Sequence, residues 1–108
     1  MALVRVASAL DIPEGEARRF HLHGDLHVAV ANLGEGQFRA LDAICSHQHA
    51  WLDEGEVDTD FETIECPKHG STFDLETGRP RSLPATQPVR VYPVKLEDDD
   101  ILIEVSDD

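Results

Sequence analysis

Cysteine is scarce in this chain: Cys45 and Cys66 are the only two among 108 residues. Two cysteines allow one disulfide at most, which excludes a disulfide-framework scaffold. Long apolar runs are missing too. None approaches the roughly 18 residues of a membrane-spanning helix, so no membrane association is expected. Residues 1–10 alternate apolar and polar and include Arg5, unlike the apolar stretch of a secretory signal; a cytoplasmic protein is expected. Basic residues are few, nine against 22 acidic, for a net charge of −13. Arg18–Arg19 and Arg79–Arg81 are the densest basic stretches, with two each. Nucleic acid and anionic lipid would be repelled by such a chain, which excludes nucleic acid as a partner. The charge serves solubility, leans toward a monomer, and suits a partner with a basic surface.

What is present is enough for one modest core. Hydrophobic residues make up 41%, which argues against disorder throughout, and the length fits a single domain over 1–108. Period-two alternation between turn signals predicts strands. The first covers Leu3 to Ala7, followed by a turn at Glu14-Gly15-Glu16. Arg19 to His23 and Leu26 to Leu33 flank Gly24-Asp25, a two-residue hairpin signal. Gly34-Glu35-Gly36 leads into Gln37 to Asp42. Val89 to Leu96 and Ile101 to Val105 flank the acidic turn Glu97–Asp100. That acidic run reads as a solvated turn, since a calcium loop needs a longer spaced array and a glycine. The expected fold is all-β, an antiparallel sheet or barrel.

Residues 43–87, by contrast, hold both cysteines, the only Trp and three of the six prolines. Shorter strands are expected at Glu62 to Glu65 and Ser71 to Leu75, with a small hairpin tip at Thr77-Gly78. About 45 residues make a poor core alone, so this stretch reads as a subdomain inserted on the base sheet.

Two short motifs carry the chemistry. Cys45-Ser46-His47 is a C-x-H pair and Cys66-Pro67-Lys68-His69 a C-x-x-H pair, with eighteen residues between His47 and Cys66. Tight loops that each offer a thiolate and an imidazole can converge on one centre, and those donors suit zinc, copper or an iron–sulfur cluster. Zinc would close a structural Cys₂His₂ tetrahedron, but zinc sites usually pair Cys with Cys and His with His. One Cys and one His per loop matches a two-iron centre with both Cys on one iron and both His on the other. Gly70 permits the turn that leaves the second loop.

The stretch CSHQHAWLDEG followed by ECPKHGSTFD resembles the signature of the Rieske ferredoxins. LETGRPRSLPATQPVRVYPVKLEDDDILIEV downstream is also similar to soluble Rieske ferredoxins of non-haem iron oxygenases, especially members encoded beside iron–sulfur assembly genes. Specific similarity covers about residues 41–105. The resemblance implies a Rieske-like antiparallel β-barrel or sandwich base with an inserted cluster-binding subdomain over about 43–87. It implies one [2Fe-2S] cluster per chain, with Cys45 and Cys66 on the inner iron and His47 and His69 on the outer, partner-facing iron. It further implies a one-electron carrier, itself not an enzyme, between an NAD(P)H-dependent flavin reductase and a terminal oxygenase. The bridging cysteines of high-potential Rieske proteins are replaced by Ala50 and Lys68, and their Tyr by Phe73, while the sulfide-bonding Ser is kept as Ser71. One hydrogen-bond donor kept and one lost places the potential in the lower or middle part of the Rieske range.

Other residues read more plainly. His49 is a solvated neighbour of the ligand loop. His21, His23 and His27 are surface histidines rather than a metal site. Trp51 and Phe73 shield the cluster or simply pack. Pro84 corresponds to a loop that covers the cluster in this family. Glu54, Glu56, Asp58 and Asp60 are solvated, with a secondary role against a basic partner. Two rival readings stand beside the carrier: an accessory redox protein in iron–sulfur assembly, and a structural zinc module.

Overall fold

The computed structural model describes residues 2–24, 26–44, 50–67, 70–81 and 87–105. Among the described residues, ten strands form three antiparallel sheets. The first sheet has the order β1-β10-β9, with β1 at Ala2–Ser8, β9 at Val94–Glu97 and β10 at Asp100–Val105. The second has the order β2-β3-β4-β8, with β2 at Ala17–His23, β3 at Leu26–Gly34, β4 at Gln37–Asp42 and β8 at Val91–Tyr92. The third is small: β5 (Val57–Asp58), β6 (Thr63–Glu65) and β7 (Thr72–Asp74). Helical structure among the described residues is confined to two three-residue 3-10 turns, Ala9–Asp11 and Leu52–Glu54.

Strand β3 explains the layering. Its sequence alternates Val28, Ala29, Val30 and Ala31, all four wholly buried. Successive side chains of a strand point to opposite faces. Val28 and Val30 therefore join Ile101, Ile103, Phe38 and Tyr92 in a core between the first two sheets. Ala29 and Ala31 face the other way, with Ala17, Leu41 and Ala43, into a second core with Leu52, Ile64, Cys66, Phe73 and Leu75. The alanines keep this second face thin, so the insert packs close to the sheet backbone.

The expected strands at the two ends of the chain are present, and β4 has the expected bounds. Asp25 of the expected Gly24-Asp25 turn lies outside the described residues, but β2 and β3 pair as the expected hairpin, with His23 opposite Leu26. The β9–β10 turn is tighter than expected. Glu97 pairs with Asp100, so Asp98 and Asp99 alone make the turn, with Asp98 at φ 56°. One expectation fails. Val89 to Leu96 is not a single strand: β8 pairs with β4, whereas β9 pairs with β10. Pro93 separates them; it has no N–H to give a ladder and marks where the chain leaves one sheet for the other.

Candidate metal centre

The loop with the second candidate ligand pair, Cys66 and His69, joins β6 to β7. Thr63 opposes Asp74, Ile64 opposes Phe73, and Glu65 opposes Thr72. One step further, the Cys66 N–H donates to the Ser71 carbonyl at 2.6 Å, and the Gly70 N–H donates to the Cys66 carbonyl at 3.0 Å. Gly70 adopts a φ of 74°, the left-handed conformation expected where the loop turns back. Cys66 is thus the last residue anchored before the turn. Its thiol is free and wholly buried. Thr63 and Ser71 are the buried polar residues among those described, and Ser71 is the one completely enclosed.

The first ligand loop is framed in the same core. Ile44 and Trp51 pair across its mouth. The Leu52 N–H donates to the Ala43 carbonyl at 2.7 Å, and the Ala43 N–H to the His27 carbonyl at 3.0 Å. Ala43, Ala50 and Leu52 from this frame share one core with Cys66 and Phe73 from the other. The 3-10 turn then runs into Glu56, whose carbonyl accepts from the Glu65 N–H at 2.9 Å. Both loop frames are therefore tied to β6.

Cys45, His47, His49, Lys68, His69 and Pro84 lie outside the described residues. The ends of the Pro84 segment are described. The Arg81 N–H donates to the Thr72 carbonyl at 2.6 Å, and the Val89 N–H to the Gly78 carbonyl at 2.8 Å. One end is fastened to β7 and the other to the turn that follows it. Asp74 braces that turn: its carboxylate accepts from the N–H groups of Glu76 (2.8 Å) and Thr77 (3.2 Å) and from the Arg81 guanidinium (2.9 Å). Burial works to raise its pKa, but these donors outweigh it and hold the carboxyl below its ordinary value of 3.8.

Phe73 is wholly buried in the core that also contains Cys66. Trp51 is half-buried and lies against the base. The Arg19 guanidinium sits 4.0 Å from its ring centre, and His27 meets its edge at 5.2 Å. His27 in turn stacks on His21 at 4.5 Å. Stacked rings do not chelate, and among the described residues no group of three or more His, Cys, Asp or Glu is placed to hold a metal ion. Glu54, Glu56, Asp58 and Asp60 are all exposed, as expected.

Two residues escaped the sequence reading. By sequence Arg19 is only half of a basic pair, and Asp53 one more acid in WLDEG. The structure sets them 3.8 Å apart. Burial raises the pKa of Asp53, and Arg19 opposes that rise. No spacing rule pairs residues so far apart on different elements.

The donor chemistry fits an iron–sulfur centre. A buried, unbridged thiol in an apolar core, on a residue whose backbone is bonded to the enclosed Ser71, suits a thiolate ligand. A profile of the Rieske [2Fe-2S] domain matches residues 2–93. The 3-phenylpropionate/cinnamic acid dioxygenase ferredoxin subunit of Shigella boydii serotype 4 (strain Sb227) is 43% identical over 95 residues, 88% of this chain and 86% of that protein. The ferredoxin of carbazole 1,9a-dioxygenase from Nocardioides aromaticivorans IC177 superposes with a TM-score of 0.89 at 35% identity, over 95% of this chain and 97% of its own. A chain in the complex of reduced oxygenase and oxidized ferredoxin in carbazole 1,9a-dioxygenase gives 0.86 at 37% identity, over 94% of this chain and 100% of that one.

Proposed function

The chain belongs to the Rieske [2Fe-2S] domain family, and from that premise we propose that Cys45, His47, Cys66 and His69 hold its cluster. We further propose that its electron donor is an NAD(P)H-dependent flavin reductase and its acceptor a terminal non-haem iron oxygenase, both in the cytoplasm. Residues 1–108 form one domain in this reading, with the cluster-binding insert over about 43–87. The observation that carries it is Cys66, a buried thiol at the root of a hairpin turn whose next residues lead to His69.

When bound, the cluster supplies a one-electron couple in the range usual for such centres, about −150 to +300 mV. The chain's own residues do the rest. Cys45 and Cys66 would supply charged thiolates, Cys66 from within the core. His47 and His69 supply neutral imidazoles, which keep the site less anionic and favour its taking up an electron. Ser71 stands on the strand side of the turn, and its hydroxyl would steady sulfur charge. The backbone bonds between Cys66, Gly70 and Ser71 anchor the two ends of the turn that carries His69 in the sequence. Exposed acids around Glu56 and Asp58 give the insert a negative surface that attracts a basic partner face.

Anaerobic purification with iron, sulfide and zinc analysis, then EPR after dithionite reduction, tests the reading. Equal iron and sulfide with a Rieske-type signal, lost in His47→Ala and His69→Ala, is expected. One zinc, no sulfide and no signal after anaerobic reconstitution would replace the carrier with a structural zinc module.

A further inference from the structure

We propose that Arg19 is a positioning residue for the first ligand loop, acting through Trp51 and Asp53 rather than on any ligand directly. The inference rests on the reading that this loop carries Cys45 and His47.

Arg19 belongs to β2, in the base. Trp51 and Asp53 flank Leu52, the wholly buried first residue of the 3-10 turn that follows the loop. The guanidinium carbon of Arg19 lies 4.0 Å from the centre of the Trp51 ring, and Nη1 lies 3.8 Å from Asp53 Oδ1. One flat cation thereby meets the residues on both sides of Leu52. Trp51 also pairs with Ile44 across the loop mouth, so any shift of Trp51 is a shift of the loop's exit. His27, stacked on His21, backs the ring from the base.

Asp53 Oδ1 is buried with no hydrogen-bond partner within reach. A buried acceptor in that state is costly, and the Arg19 charge offsets it. Lysine would supply the charge without the flat face that stacks on indole. The side chain of Arg19 is one-third exposed, and ion pairs at such sites add little stability. Its contribution is therefore the placement of Trp51 and the turn.

The test uses the cluster-loaded protein, with iron and sulfide first confirmed in the wild type. Arg19→Ala, Arg19→Lys, Asp53→Asn and the Arg19→Ala/Asp53→Asn double variant are compared. Readouts are the half-life of the visible cluster absorbance under an iron chelator, the reduction potential, the thermal midpoint, and the emission of the single Trp. Arg19→Ala is expected to lose its cluster about two- to fivefold faster, the factor matching an exposed cation–π contact, with Trp51 emission shifted to the red. Arg19→Lys falls between. The double variant regains the thermal midpoint but keeps the fast cluster loss, a split that general destabilisation would not produce. An unchanged half-life in Arg19→Ala beside a loaded wild type overturns this proposal alone, as does a double variant that restores both midpoint and half-life. A wild type without iron and sulfide overturns the ligand reading, and this inference with it.

Discussion

Gly55 and the carbonyl of Glu65 meet so closely that no β-carbon fits between them: one added at Gly55 would sit 1.5 Å from that oxygen. The φ of Gly55 is −88°, so the constraint is space rather than backbone conformation. Glu65 immediately precedes Cys66, and the contact therefore joins the exit of the first ligand loop to the strand leading into the second. Gly55→Ala must push β6 and the 3-10 turn apart. A loss of about 1–3 kcal/mol in chemical unfolding is expected, together with reduced iron content per chain on purification. Normal stability and full iron loading in Gly55→Ala would show that the backbones separate at no cost.

The alanine face of β3 predicts a second asymmetry. Ala31→Leu forces three extra carbons between the sheet and the insert, and overpacking there costs about 1–3 kcal/mol. Leu3→Ala, on the first sheet and half exposed, stays within about 0.5 kcal/mol of wild type. Urea denaturation of the two variants checks the contrast.

Acid should loosen the hairpin that follows the second ligand loop. The Asp74 carboxyl is held below its ordinary 3.8 by the N–H groups of Glu76 and Thr77 and by Arg81, against the effect of burial. The contribution of a depressed carboxyl is complete above its unfolded pKa and is lost as pH falls through the folded one. Asp74→Asn is expected to cost about 1 kcal/mol at neutral pH, discounted for solvent exposure, and to lessen the fall in stability below about pH 4. Thermal midpoints recorded from pH 7 downward measure both effects; parallel curves for the two proteins would refute it.

Tyr92 is the only tyrosine, which makes its titration readable. Its hydroxyl donates to Asp42 Oδ1 at 2.6 Å. Burial, that hydrogen bond and the Asp42 charge push its pKa well above the ordinary 10. Tyrosinate absorbance should stay absent until alkaline unfolding, then rise together with the loss of circular dichroism. Tyr92→Phe removes a bond to a charged acceptor and should cost about 1.5–3 kcal/mol.

Phe73 is wholly buried, and the resemblance sets it where high-potential Rieske proteins carry a tyrosine. A midpoint potential in the lower or middle part of the span of about −150 to +300 mV is expected, with an upward shift in Phe73→Tyr. Protein-film voltammetry reads both values, and a wild-type potential near the upper limit would refute the assignment.

The base was legible because its strands alternate cleanly and end in turn residues; Gly34-Glu35-Gly36 leads into β4 at the expected place. β8 and β9 were not, because Val89 to Leu96 has one alternating pattern while its two halves pair with different sheets, and Pro93 records the break without saying where each half goes. β5 is two residues long and leaves no periodic trace. At the site, Cys66 stands out through its spacing to His69, but its complete burial is set by the packing of the insert. The contact of Arg19 with Trp51 and Asp53 could not be read, since it arises from the packing of the insert on the sheet. Gly55 was equally silent, because a glycine needed for space looks like any other.

Strand β3 belongs to both cores at once, through its valines on one side and its alanines on the other. Releasing β3 dissolves both cores at once. Amide protons of Val28 to Ala31 should therefore exchange only through near-global unfolding, with partial opening limited to loop tips and edges. For an electron carrier, that keeps oxygen and water away from the buried thiol of Cys66.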